Sequence, residues 1–379
     1  MADLTLPLEP PDSPAAATRI AAERRYDVDW LRTLALGLLI VYHVTISFQP
    51  WADQIFFPGN EETLDGLWVL MAGVNVWRIP ILFLISGMGV RFAMERRDWK
   101  QLLRDRAIRI LLPFLFGYFF VAPVGTFFAI RFFYGIDRYA PSNAHLWFLV
   151  NIFLYVLLFL PLFSWLKRRP ENRLLRAVKR VLRWPGGPFL AALPLMAEGW
   201  LVNPQAYAAY ADTMHGYLLG LVCFFLGFII ISAGDAFWPA VMRIRWPALG
   251  IAFLLYLVRF RGFALQGPGW LVALESWCWM LGVLGLAAGN LNRRSDLLRY
   301  LSTAVYPVYI VHLPVQFALS TYLIPLPLPA LTKYALLLGG TFGISFLIYE
   351  FVLRRIRWLR PLFGLRLGAR ETAPRRSGR

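Results

Sequence analysis

The chain has 379 residues, 58% of them hydrophobic and only 16% charged, where a soluble domain carries about 25% charged residues. Apolar runs of membrane-spanning length recur from residue 31 to residue 353, which excludes an ordinary soluble globule. The formal net charge of +17 invites a nucleic-acid reading, but the positive residues are spread over many short connections, which argues against one.

Residues 1–25 are polar and Pro/Ala-rich, end in Arg24 and Arg25, and lack the apolar stretch of a cleaved leader. They are expected to form a disordered cytoplasmic tail, with the first span acting as its own insertion signal. Ten helices are expected next, at about 31–50, 67–91, 110–130, 144–166, 187–203, 214–233, 246–260, 268–291, 300–323 and 331–353. They make an all-α, polytopic integral membrane domain over residues 26–360, and residues 361–379 make a basic cytoplasmic tail. Segments 1–30, 91–109, 167–186, 243–245, 293–299 and 354–379 hold 32 of the 39 Lys and Arg, and the alternate connections hold five. The positive-inside rule therefore places both termini in the cytoplasm. Cys223 and Cys278 lie inside apolar runs and read as small core residues, and no metal site is expected. There is no phosphate-binding GxxxxGK[ST] and no dinucleotide fingerprint. The absence of a visible tandem or inverted repeat weighs against a transporter.

Ionisable groups inside spans are costly and are functional candidates by default. Arg32 and His43 are eleven residues apart in one apolar helix. At about 100° per residue they share a face, separated by about 16 Å along the axis. Asp29, three residues before Arg32, can pair with it. Arg78 falls near the middle of the second span beside Asn75 and Pro80, and a cavity or a carboxylate of Glu198, Glu275 or Glu350 is expected to receive it. Arg106 and Arg109, one turn apart before Pro113, suit a multiply charged anion. His145 and His312 lie in the fourth and ninth spans. Each has a bland alternative: Arg32, Arg106 and Arg109 as solvated positive-inside charge, and the histidines as packed core residues. Together they sketch a pore-like site, with cations at the cytoplasmic mouth, a histidine deeper in and an opening to the outside. An anionic, nucleotide-tailed donor would anchor at the mouth and reach His43 with its reactive end.

These residues resemble the membrane acyltransferase type 3 family. The resemblance rests on Arg32, ten residues and His43, with Asp29 before them; on Arg106 and Arg109 followed by Pro113; on "FLISG" at Phe83–Gly87; and on "YPVYIVH" ending at His312. "WRIPILFLISG" with "HLWFL" is nearest the branch that succinylates osmoregulated periplasmic glucans. The resemblance implies a ten-helix enzyme of the bacterial inner membrane that takes an acyl group from cytoplasmic acetyl-CoA or succinyl-CoA. The acceptor it implies is a hydroxyl of an extracytoplasmic glucan or other surface carbohydrate. Some members fuse a hydrolase-like domain after the last helix; any second-stage transferase here would have to be a separate protein.

On this reading His43 is the general base or a transient acyl carrier, and Arg32, oriented by Asp29, positions the donor. Arg106 and Arg109 hold CoA phosphates, Arg78 and Ser86 shape the donor cavity, and His145, Trp147 and His312 face the acceptor. Lipid and carbohydrate are the expected partners, nucleic acid is not, and homo-oligomerisation is left open. The competing reading is a transporter or flippase of an anionic or carbohydrate-linked substrate.

Overall fold

The computed structural model describes residues 24–366. Eleven helical elements carry the chain: α1 Tyr26–Ile46, α2 Asp65–Arg96, α3 Trp99–Tyr134, α4 Ala144–Arg168, α5 Arg173–Arg183, α6 Gly187–Val202, α7 Met214–Ser232, α8 Phe237–Gly262, α9 Gly269–Asn290, α10 Asp296–Leu323 and α11 Ala330–Leu353. No strand occurs among the described residues. Eight of these helices are long and apolar enough to cross a membrane; α6 is shorter. The 28-residue α10 is interrupted by Ser, Thr, Tyr, His and Gln. The protein is an all-α polytopic membrane protein.

Several elements differ from expectation. The first helix begins at Tyr26 because Asp27 and Asp29 favour the first turn, where the helix dipole is positive. The seventh expected span, 246–260, is the second half of a 26-residue helix that continues through Arg243, Arg245 and Pro247. The expected loop 167–186 contains α5, an amphipathic basic helix capped by Asn172 and buried on Leu175 and Leu182. Charge density there hid a short apolar stripe. The expected tails lie largely outside the described residues, but Arg360–Phe363 folds into a helical turn with Phe363 buried.

Prolines within spans leave carbonyls unbonded, and lipid supplies no donor, so the protein must. Pro80, Pro113, Pro123 and Pro314 each lack an N–H for the carbonyl four residues back. Those carbonyls are taken by Tyr210 (Val76 O, 3.2 Å), Tyr306 (Arg109 O, 3.0 Å), Tyr139 (Phe119 O, 2.7 Å) and His145 (Ile310 O, 3.0 Å). In α3 the chain also widens into π-turns at Ala107–Leu111 and Gly117–Val121, just ahead of its prolines.

The α2–α7 pair packs through small residues, as helices in lipid do. A Cβ on Gly87 would collide with the Phe224 carbonyl, and one on Gly227 with the Leu84 carbonyl. α1 packs on α2 beside this contact and α10 packs in turn on α1, which brings the polar side chains of α1, α2, α4 and α10 together.

Candidate active site

A cavity of about 860 Å³ opens on the face where both described chain ends lie, since Arg24 and Arg366 both line it. Arg32, Ser86, Arg106 and Arg109 are among its walls, as the sequence led one to expect; Arg24, Arg97 and Arg360 join them. Ser86 turns its hydroxyl back to Leu82 O at 2.7 Å. Asp105 bridges Arg97 (2.9 Å) and Arg109 (3.1 Å), which holds two guanidinium forks on one wall. Arg106 donates to Gly89 O at 3.3 Å. The result is a basic, half-open chamber suited to a polyanion.

The expected Asp29–Arg32 pair is loose, at 3.8 Å. Asp29 instead accepts two hydrogen bonds from Arg24, at 2.9 and 2.7 Å. Arg24, just before the helix, grips one carboxylate oxygen through both Nε and Nη2, and Arg32, which lines the cavity, remains 41% exposed.

The single tunnel expected from Arg32 to His43 is divided. The cavity reaches Leu36 on α1, Leu82 on α2, Phe148 on α4 and Tyr309 on α10, and no lining residue lies farther from the basic face on these helices. These bulky side chains form a floor. His43, Arg78, His145 and His312 lie beyond it. Arg78, His145 and His312 are three or four residues past the floor on their helices, about 5–6 Å, and His43 is seven residues past, about 10 Å.

Beyond the floor the three histidines come together. His43 Nδ1 lies 2.9 Å from His312 Nε2, with the rings parallel. His312 Nδ1 lies 2.6 Å from Tyr309 O, and a carbonyl only accepts. His312 therefore carries its proton on Nδ1, and its Nε2 accepts from His43 Nδ1–H. That leaves the lone pair on His43 Nε2, the state a general base needs. Gln316 donates to the His43 carbonyl at 2.8 Å and fixes that turn of α1. His145 packs edge-on against His312 while donating Nε2–H to Ile310 O. Tyr309, which lines the cavity, stacks on His312 and donates to the His145 carbonyl.

Arg78 is buried, at 2% exposure, and meets none of its three candidate carboxylates. Glu198 holds His215 at 2.8 Å, Glu275 holds Arg259 at 2.7 Å, and Glu350 holds Arg354 at 2.7 Å. The guanidinium instead lies over the Tyr42 ring, 4.4 Å from its centroid, and donates to Asn75 Oδ1 at 3.3 Å. Tyr210, in the segment between α6 and α7, donates to Asn75 O at 3.1 Å and Val76 O at 3.2 Å. Burial pushes its hydroxyl well above the ordinary tyrosine range, so it stays a donor. Trp147 packs against Phe83 and Phe148 and lines no part of the basic cavity.

Sequence reasoning missed Arg24, Asp105, Tyr309 and Gln316. The i, i+4 spacing of Asp105 and Arg109 was a readable signal. Tyr309 and Gln316 share the His312 face of α10, at i−3 and i+4, and could have been found from that histidine.

Membrane-crossing helices around a basic chamber, with a histidine pair beyond its floor, define a multi-pass membrane protein with an interior polar site. The chain belongs to the acyltransferase 3 family, whose model, described as an acyltransferase domain, matches residues 25–350. Among curated relatives it is 23% identical over 369 residues to glucans biosynthesis protein C of Salmonella paratyphi B (strain ATCC BAA-1250 / SPB7) and of Salmonella enteritidis PT4 (strain P125109). Those alignments cover 88% of this chain and 93% of each relative. No solved structure matches.

Proposed function

We propose that this acyltransferase moves an acetyl or succinyl group from an acyl-CoA, entering at the basic cytoplasmic face, to a hydroxyl of a glucan or other carbohydrate beyond the inner membrane. One observation carries the reading: the arginine-lined cavity ends within about one to two helical turns of a histidine whose Nε2 lone pair is free. Arg106, and Arg109 held by Asp105, would take the CoA phosphates, with Arg32 and Arg24 opposite. The pantetheine arm would run down the cavity and end at the apolar floor of Leu36, Leu82 and Phe148. Tyr309 stands between the thioester and His43, so a side-chain movement there admits the acyl group.

His43 Nε2 takes the proton of the acceptor hydroxyl as that oxygen attacks the thioester carbon. The C–S bond then breaks, and the departing sulfur takes the proton back. His312, fixed by the Tyr309 carbonyl, keeps His43 in the basic tautomer and shares the charge of the imidazolium. The glucan acceptor is supported by the names of the relatives and by a site placed beyond the cavity floor. Mass spectrometry of extracytoplasmic glycans from cells with and without the protein tests this: a gain of an acyl mass on a glucan is expected, and identical spectra reject it.

A further inference from the structure

Besides Arg78, the buried Arg and Lys side chains among the described residues, Arg259 and Lys333, are closed by protein acceptors. Arg259 is closed by Glu275 at 2.7 and 2.9 Å and by the carbonyls of Leu265 and Ala72. Lys333 is closed by Asn60 Oδ1 at 2.9 Å and Ile324 O at 2.6 Å. Arg78 is as deeply buried, yet no carboxylate lies within salt-bridge distance of it among the described residues. Among the described residues its Nε and Nη1 have no acceptor, and neither does Nδ2 of Asn75 one turn away. Asn75 Oδ1 is already engaged by Arg78 Nη2, which fixes the amide so that its NH₂ and the guanidinium belong to one donor cluster. The Tyr42 ring on which Arg78 rests belongs to the residue next to His43, with ring centroids 5.4 Å apart. Tyr210 pins the same turn of α2 from the other side.

A guanidinium stays charged at this depth, and buried N–H donors without acceptors are costly. Three such donors in one turn, beside a base, match the needs of negative charge that arises only during reaction. We propose that Asn75 and Arg78 form an oxyanion site for the acyl carbonyl. The assignment rests on the acyl-transfer reading above. As the acceptor oxygen bonds to the carbonyl carbon, the C=O π pair moves to its oxygen. That oxyanion receives hydrogen bonds from Arg78 Nε or Nη1 and from Asn75 Nδ2, while His43 Nε2 takes the hydroxyl proton. Collapse restores C=O, breaks C–S and returns the proton to sulfur. Arg78 thereby becomes a catalytic residue and Tyr210 a positioning residue.

The test uses the full-length protein in nanodiscs with β-glucan oligosaccharides and two donors, acetyl-CoA and succinyl-CoA. Arg78→Met, Arg78→Lys and Asn75→Ala are compared for kcat, KM and thermal midpoint. Arg78→Met should lose about 100-fold or more in kcat on whichever donors the wild type uses, with KM within a few-fold. Arg78→Lys should recover part of the loss, and Asn75→Ala should lose less. Because the variant removes an uncompensated buried charge, its midpoint should rise above that of the wild type. Unchanged kcat overturns the site. A loss confined to succinyl-CoA also overturns it, assigning Arg78 to the acyl tail's carboxylate. A lowered midpoint in Arg78→Met overturns it in favour of a structural role. A wild type inactive with both donors and every glycan fraction rejects the acyl-transfer reading instead, and the oxyanion role with it.

Discussion

His43 and His312 stand 269 positions apart in the chain, yet their ring nitrogens meet at 2.9 Å with the rings within 3° of parallel. The proton order along this contact follows from the carbonyl at its end, Tyr309 O, which can only accept. His43 is thus held with its Nε2 unprotonated by a partner on another helix. His43→Ala should abolish acyl transfer without changing membrane levels. His312→Ala should lower kcat by about 10²–10⁴-fold, because His43 is then free to take the other tautomer. Steady-state assay of both variants in membranes checks this, and a fully active His312→Ala would remove His312 from the machinery.

Asp105 ties the basic wall together by bridging Arg97 and Arg109. Asp105→Asn should raise KM for acyl-CoA several-fold and leave kcat nearly unchanged. Arg106→Ala and Arg109→Ala should each raise it about 10- to 100-fold, the loss of one charge-assisted contact to a phosphate. Binding isotherms with CoA report the same ranking without turnover.

Tyr309 separates the cavity from the histidines. Tyr309→Ala should open the floor and let water reach the thioester, so that acyl-CoA hydrolysis in the absence of glucan rises relative to transfer. Tyr309→Phe keeps the ring and should stay coupled. Release of free CoA, followed by a thiol reagent, distinguishes the two; equal hydrolysis in both variants would mean that the ring is no barrier.

The Gly87–Gly227 crossing leaves no space for a methyl group on either helix. Gly87→Ala and Gly227→Ala should each cost at least about 1–3 kcal/mol by forcing α2 and α7 apart, and should lower activity through the displaced Ser86 wall. Thermal denaturation in detergent measures the first effect. Gly37→Ala, a position open on α1, is the control and should be silent.

Arg259 and Glu275 are both almost fully buried and hydrogen-bonded to each other. Arg259→Met should destabilise by about 3–5 kcal/mol because a buried carboxylate is left alone, whereas the double replacement Arg259→Met with Glu275→Leu should recover most of that loss. The opposite sign expected at Arg78 makes the two arginines an internal comparison by thermal midpoint.

What the sequence alone determined is local. Hydropathy over about 20 residues marks a span, and the 100° step of a helix puts Arg32 and His43 on one face. The prolines could be read as breaks, and the clustered arginines as a basic face. The mistakes were local too: α5 was hidden by its own charges, and α1 began earlier than the apolar run. Which helices touch was decided only in the folded protein. In lipid one apolar face is as good as another, so hydropathy does not rank neighbours, and only steric fit and polar pairing do. That is why Glu198, Glu275 and Glu350 all read as partners for Arg78, although each holds a different side chain: His215, Arg259 and Arg354. For the same reason the floor at Tyr309 and the meeting of His43 with His312 had no signature in spacing: each joins side chains by tertiary packing.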